Sequence, residues 1–551
     1  MKLKKNTFMQ GAFIASMGIV ISKILGIIYV IPFYAIIGEQ GGALYGYAYN
    51  IYSIFLSLST AGVPLAVSKI ISEYNALGYY KEKEQAFKIA KRLLSIIGII
   101  SFIILFVFAP QIATLIIGDI QGGNTLADIV FVIRVISFSI LVVPILSVYR
   151  GYLQGHKYIT PTSVSQILEQ VVRVVIIIVG SYLMLKVFNC SLSTAVGVAL
   201  FGATAGAICS YLYLVNKVLK HRKQLNANLS KEKEIAVTTK DIIIKIICYA
   251  FPFVFGDVLK SLYNSVDTFL LIRTLVNGLS FTATDAEAIM SVISTWGNKL
   301  NMIVIAVGTG FTVSIIPNIT YSLVKKDYKD IRNKINRTYK IVMFVTLPMV
   351  VGLSFLADPI WKVFYGSSKF GPQVFSFSIF IALFTVILSL CTTILLTLKD
   401  YRILFINLIT GLVINAVFDV PLIYLFNHIG LPPYYGAIAS TIFGNVVSII
   451  IVIVFMYKKY NIDFFKSYKT FLKIILSIIL MILGLRLLKY IVPFTSSRIA
   501  SLFIIMLYST VGALIYFSIT YKSGAIYEVF GSNIFDVIKK KLRLKKENSA
   551  N

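Results

Sequence analysis

FMQGAFIASMGIVISKILGIIYVIPFYAII, residues 8–37, decides the fold. It holds one charged residue, Lys23, in a run longer than the roughly 20 residues a helix needs to cross a bilayer. Met-Lys-Leu-Lys-Lys precedes it. A secretory signal would have a shorter apolar core and a small-residue cleavage site, so the run reads as a retained first helix. Comparable runs recur along the chain, giving fourteen expected spans: 8–37, 43–68, 90–117, 127–149, 161–186, 192–216, 244–272, 288–316, 338–364, 373–398, 402–426, 434–457, 471–492 and 499–521. Of the 551 residues, 58% are hydrophobic and 14% charged, against about a quarter charged in soluble proteins, and the mean hydropathy is +0.84. This excludes a cytosolic enzyme, a secreted disulfide scaffold and a disordered chain. The expected class is an all-α polytopic membrane protein.

The charges test that map. The net charge is +29, from 52 Lys and Arg against 23 Asp and Glu. If the loops alternate sides from a cytoplasmic N-terminus, 40 of the 52 cations fall on one side, seven on the other and five within spans. That asymmetry is the positive-inside pattern. It places both termini in the cytoplasm of a plasma-membrane protein and removes nucleic acid as the reason for the basicity. Cys190, Cys209, Cys248 and Cys391 are far apart, and His156, His221 and His428 sit in or beside loops. Neither set suggests a metal site or a disulfide. No phosphate-binding G-x-x-x-x-G-K-[ST] loop is present, so no cofactor is expected.

The halves of the chain echo each other. Val63-Pro64 resembles Ile316-Pro317; Phe108-Ala109-Pro110 with Gly118 resembles Leu356-Ala357-Asp358-Pro359 with Gly366; Tyr158 resembles Tyr401. The pairs are nearly equally spaced, which suggests two parallel six-helix repeats, a pattern of transporters with a site near mid-membrane. The expected organisation is an N-terminal lobe at 1–216, a cytoplasmic linker at 217–243, a C-terminal lobe at 244–457, two appended spans within 458–521 and a basic cytoplasmic tail at 522–551.

Cations within spans carry the functional reading. Each costs about 2.5–3.5 kcal/mol at the bilayer centre on insertion scales, so it needs a counter-charge, water or an anionic ligand. Glu169 and Arg173 are four apart on one helix face and read as a structural or gating pair. Asp257 and Lys260 are three apart, with Asp267 further along. Arg134 is near enough to a span end to snorkel. Lys23 and Lys299 have no acid within four residues. Facing a cavity from the two lobes they would favour an anionic substrate, with Lys260 or Arg134 assisting; the alternative is pairing with a distant acid such as Asp267 or Asp419. Arg150, His156 and Glu169 form the only acid–base cluster an intramembrane transferase could use, and it has a structural explanation. Gly202-x-x-x-Gly206 permits close helix approach.

Several segments resemble a known family. Ser22-Lys23-Ile24-Leu25-Gly26, Tyr29-Val30-Ile31-Pro32-Phe33, Gly41-Gly42-Ala43-Leu44-Tyr45 and Gly62-Val63-Pro64-Leu65-Ala66-Val67-Ser68-Lys69 are similar to the start of YtgP proteins. The strongest element is Arg150-Gly151-Tyr152-Leu153-Gln154-Gly155-His156, then Pro161-Thr162, Ser165-Gln166, Glu169-Gln170 and Arg173. Tyr263-Asn264-Ser265-Val266-Asp267-Thr268 and Ile316-Pro317-Asn318-Ile319-Thr320 continue it. These proteins are relatives of the MurJ lipid II flippases and stage V sporulation protein B, in the multidrug/oligosaccharidyl-lipid/polysaccharide exporter superfamily. The resemblance implies a MATE-like fold with two six-helix lobes around a cationic cavity. It implies an apolar groove at the last two helices for an undecaprenyl tail, and flipping of the peptidoglycan precursor lipid II by alternating access. Membrane lipids and the cell-wall synthesis machinery would be partners. Lys23 falls where the family carries a first-span arginine, and Lys299 lies near its eighth-span arginine. Two other family arginines align with Tyr29 and near Leu56, so the cation set differs. Alternatives are a flippase for another polyprenyl-linked precursor, such as teichoic acid or capsule, and a cation-coupled multidrug exporter. The exporter would call for an acid in the first span, where Lys23 stands instead.

Overall fold

The computed structural model describes residues 10, 14, 17, 18, 21, 22, 25–60, 62–225, 238–464 and 467–531. Among them the regular structure is helical throughout, as hydrocarbon requires: a spanning helix satisfies its own backbone polar groups. In chain order the helices are α1 (Val30–Thr60), α2 (Val63–Leu77), α3 (Tyr80–Val107), α4 (Ala109–Ile117), α5 (Leu126–Gly155), α6 (Ile159–Val175), α7 (Leu192–Lys220), α8 (Thr239–Arg273), α9 (Ala283–Ser291), α10 (Gly297–Val324), α11 (Tyr328–Phe355), α12 (Ala357–Tyr365), α13 (Gly371–Leu398), α14 (Tyr401–His428), α15 (Tyr434–Tyr460), α16 (Tyr468–Ile491), α17 (Arg498–Lys522) and α18 (Ala525–Phe530). π-helical turns extend α6 to Val187 and α8 to Gly278, and another joins α9 to α10.

Twelve helices among the described residues are long and apolar enough to cross a membrane. They match the expected spans two to seven and nine to fourteen. Helix α10, 28 residues long, stands at the eighth. The expected first span lies largely outside the described residues.

The landmarks that suggested a duplication carry the same local backbone. The chain breaks after α3 at Phe108 (φ −86°, ψ 9°) and after α11 at Leu356 (φ −91°, ψ 14°). A nine-residue helix follows each break and stops at a glycine of positive φ, Gly118 (60°) or Gly366 (80°). Lys157 (φ 65°) ends the turn before α6, and Lys399 (φ 62°) ends the turn before α14. Gly78 (φ 85°) and Lys326 (φ 55°) do the same before α3 and α11. A left-handed residue is strained for lysine and free for glycine, so conserving the turn across this change of residue marks a shared topology.

Residues 1–296 and 297–551 form two compact units. In the first, α5 lies against α2 through glycines: a Cβ at Gly151 would stand 2.7 Å from the Pro64 carbonyl oxygen, and one at Gly155 2.7 Å from Ile71 Cβ. The apolar cluster there includes Val67, Ile70, Tyr74, Leu94 and Leu153. Two helices start with capping boxes: Thr125 with Asp128 on α5, and Thr238 with Asp241 on α8. Each satisfies backbone donors the first turn leaves open.

In the second unit α14 and α15 are in close contact, and a Cβ at Gly436 would lie 2.4 Å from the Ile423 backbone nitrogen. The short α18 is tied down by Glu528, which accepts from Thr470 at 2.6 Å, and by Arg337, which donates to the Phe530 carbonyl. Gly436→Ala should therefore destabilise the unit by about 1–3 kcal/mol, the range for overpacking. Gly352→Ala, at a position with nothing within 4 Å of the new methyl, should leave the melting temperature in detergent unchanged or raised. Equal melting of the two variants would contradict the packing of α14 on α15.

Candidate functional site

The charged centre of the first unit is built on α6. Four-residue spacing puts Glu169 and Arg173 on one face, and their side chains meet at 3.2 Å. Gly202 and Gly206 on α7 allow this turn to be approached closely: Cβ atoms there would lie 3.0 Å from the Arg173 carbonyl oxygen and 2.5 Å from that of Glu169. The motif read as a generic packing element thus seats the charged turn. Arg150 arrives from the end of α5. Its Nη2 donates to Glu169 Oε2 at 2.7 Å and to Ser210 Oγ at 3.2 Å, and its Nε donates to Ser165 Oγ at 3.0 Å. One carboxylate therefore serves two guanidinium groups, leaving the cluster one positive charge in excess. Tyr45, Tyr49 and Tyr52 of α1 lie within electrostatic range of Arg173. The Arg173 Nε is buried without a hydrogen-bond partner.

The other cations within spans are placed differently. Lys260 is 3.7 Å from Asp257, both about half exposed, so the sequence-adjacent pair forms. Asp267 is buried on the same helix, beside Thr268, whose hydroxyl accepts from Asn50 at 2.8 Å. Arg134 donates to the Phe106 carbonyl at 3.3 Å and lies 5.2 Å from that ring centroid. This arrangement anchors α5 to α3. Lys299 is half-buried in the first turn of α10. Lys23 lies outside the described residues.

Other polar features emerge in the folded chain. Lys245 meets Glu73 at 2.7 Å and Lys69 lies 3.7 Å over the Tyr249 ring, joining α8 to α2. In the second unit a polar seam runs between α14 and α15: Ser440 Oγ donates to the Asn415 carbonyl at 2.7 Å, Ser448 Oγ to the Asn407 carbonyl at 2.8 Å, and Asp419 is fully buried. The sequence does carry a signal for it. Asn407, Gly411, Asn415 and Asp419 recur every fourth residue, opposite Ser440, Gly444 and Ser448. Among the described residues no group of three or more His, Cys, Asp or Glu side chains is placed to hold a metal.

The second unit also contains an apolar cavity of about 420 Å³ among α10, α11, α16 and α17. Ile303, Phe344, Met349, Met481, Tyr508 and Gly512 are on its walls. The Tyr508 and Tyr516 hydroxyls are turned to the Val492 and Phe344 carbonyls, which leaves their rings as apolar surface.

Removing one partner of a buried ion pair leaves the other charge uncompensated, at a cost of about 3–5 kcal/mol. Glu169→Gln should lower the melting temperature in detergent strongly, and Glu169→Gln with Arg150→Met should recover part of the loss. A single variant as stable as the parent would show that Arg150 and Arg173 do not depend on this carboxylate.

Comparison with known proteins extends the geometric description. Residues 8–280 match the family model described as "Polysaccharide biosynthesis protein", and residues 287–421 match the MatE model. The lipid II flippase MurJ of Bacillus subtilis (strain 168) is 32% identical over 547 residues, covering 96% of this chain and 97% of that protein. Stage V sporulation protein B of the same organism is 23% identical over 379 residues, covering 68% of this chain and 69% of that protein. A solved structure of the lipid II flippase MurJ in an inward closed conformation matches with TM-score 0.68 at 17% identity, covering 94% of this chain and 100% of that one. A multidrug resistance MATE family transporter, solved facing inward, matches with TM-score 0.62 at 13% identity, covering 80% and 94%. With helix breaks and left-handed turns repeated in two halves and a relative aligned almost end to end, this multi-pass membrane protein belongs to the MurJ family.

Proposed function

We propose that this chain is a flippase that moves lipid II, the undecaprenyl-diphosphate-linked peptidoglycan precursor, across the cytoplasmic membrane by alternating access. The observation that carries the proposal is the end-to-end match to a lipid II flippase, over 96% of this chain and 97% of the relative. The spans, the positive-inside distribution and the apolar cavity of the second unit support it. The reading involves transport without chemical change of the cargo. Both termini are assigned to the cytoplasm, and the cell-wall synthesis machinery supplies the cargo and receives it.

In this reading Lys23 and Lys299 supply positive charge to the diphosphate, with Lys260 or Arg134 assisting. Lysine acts on phosphate as a point charge, tolerant of geometry, which suits a site whose ligand must leave as well as enter. Arg150, Glu169 and Arg173 with Asp257 and Asp267 form the supporting charge structure. The cavity bordered by Met481 and Tyr508 takes part of the polyprenyl tail. An inside-negative potential favours outward movement of an anion by about 2.3 kcal/mol per charge per 100 mV, and the same field favours return of an emptied cationic site.

The test is complementation of a strain depleted of its own lipid II flippase. The parent chain should restore growth, and Lys23→Ala with Lys299→Ala should abolish rescue at unchanged membrane abundance. Failure of the parent to rescue, with rescue of a strain lacking a teichoic-acid or capsule flippase, would reassign the cargo. Full rescue by the double variant would remove both lysines from the mechanism. Gly512→Leu, which fills the cavity, should slow transport of a long-chain lipid II more than that of a short-chain analogue; equal effects on both would separate the cavity from tail binding.

A further inference from the structure

At the end of the first unit remote from the lysine-rich loops, the segment 118–125 joins α4 to α5. Its backbone carries positive φ at Gly118 (60°) and Gly122 (98°). The segment folds onto Glu287 of α9. The Asn124 backbone N–H donates to Glu287 Oε1 at 2.8 Å, and the Asn124 side-chain amide donates to the Gln40 carbonyl at 3.1 Å. Gly123 sits directly on the carboxyl group, since a Cβ there would stand 2.7 Å from Glu287 Cδ and Oε2. Glu287 is only 2% exposed, and its Oε2 is buried without a hydrogen-bond partner.

A buried carboxylate with one oxygen unsatisfied costs far more than the neutral acid. The Asn124 backbone N–H serves Oε1, while Oε2 has no hydrogen-bond partner among the described residues, so ionisation here is opposed by burial. We propose that Glu287 is a proton-binding site that latches the 118–125 segment to α9, so that proton uptake holds this end of the unit closed and proton release frees it.

The surrounding charges agree with that assignment. Burial raises the Glu287 pKa most; the Asn124 hydrogen bonds oppose this, Asp128 in the first turn of α5 adds to it, and the net effect is a pKa pushed up to about 7. Other titratable and charged groups on the elements packed around it include Tyr47, which interacts with Glu287, and Glu39 on α1, Asp119 in the segment, Asp285 on α9, and Asp267 and Arg273 on α8. Arg273 donates to the Thr114 carbonyl. Its guanidinium is thereby committed to the end of α4, beside Gly118.

The sign follows from linkage. Docked, the group keeps its proton to about pH 7; undocked and hydrated, it would titrate in the ordinary carboxylate range near 4.5. The latched state is therefore fully favoured below that range and loses weight as pH rises to about 7. Between pH 5 and pH 7 its weight should fall about fortyfold, roughly five- to sevenfold per pH unit. The proposal does not depend on the cargo. It concerns the pH that this end of the protein meets, and its test uses no lipid II.

Hydrogen–deuterium exchange of the full-length protein in nanodiscs, corrected for intrinsic exchange, tests it. Protection of residues 118–125 should decline as pH rises, levelling off near pH 7. In Glu287→Gln, neutral at every pH, protection should stay high and flat. Asp128→Asn keeps Glu287 and removes the neighbouring negative charge; its profile should level off about half a pH unit lower or more. A parent profile without pH dependence, or the parent's dependence persisting in Glu287→Gln, would overturn the proposal. Should Glu287→Gln fail to fold, the Asp128→Asn profile decides: a lower level-off point supports the latch and an unchanged one overturns it.

Discussion

A charge cannot rest in hydrocarbon without a counter-charge, water or a ligand, and this constraint organises the protein. By the alternation of the expected spans, most cations fall in segments on one side. Those within the spans are the informative ones. Arg150 and Arg173 share Glu169 and two serine hydroxyls support Arg150, so burial there is balanced by geometry that only the folded unit provides. Lys260 keeps a local partner. Arg134 is anchored by a carbonyl and a ring. The proposed mechanism assigns the anionic cargo to the positive charge of Lys23 and Lys299.

The helices were legible because their signal is local. Apolar length marks each span, and the repeat announces itself through Pro and Gly at breaks that the backbone reproduces at Phe108 and Leu356. Helix ends were less legible. Helix α3 starts at Tyr80 rather than 90 and α11 at Tyr328 rather than 338. Their first turns are charged helix projecting past the apolar run, and hydropathy registers the hydrocarbon-crossing part alone. The break after Val107 was hidden inside one apolar stretch for the same reason.

The site was legible to the extent that its contacts are close in sequence. Glu169 with Arg173 and Asp257 with Lys260 follow from helical spacing. The attachment of Arg150 to Glu169 crosses from α5 to α6, and Ser210 comes from α7. Such partners are set by glycines that let helices touch, as Gly206 does. Glu287 gave no signal at all: its partner is a backbone N–H, which every residue but proline carries. Asp419 drew attention only as a distant counter-charge, although the four-residue repeat of small and polar residues around it marks a seam between helices.

The proposed function gives the anionic head group to cations within the spans and its tail to the apolar recess of the second unit. Its most direct test is purified protein in vesicles carrying fluorescent lipid II on one leaflet, followed with and without an imposed membrane potential. The account predicts movement to the other leaflet well above that in empty vesicles, and faster when the potential draws the anion across. Lipid II that stays on its original leaflet as it does in empty vesicles, with or without the potential, would contradict it.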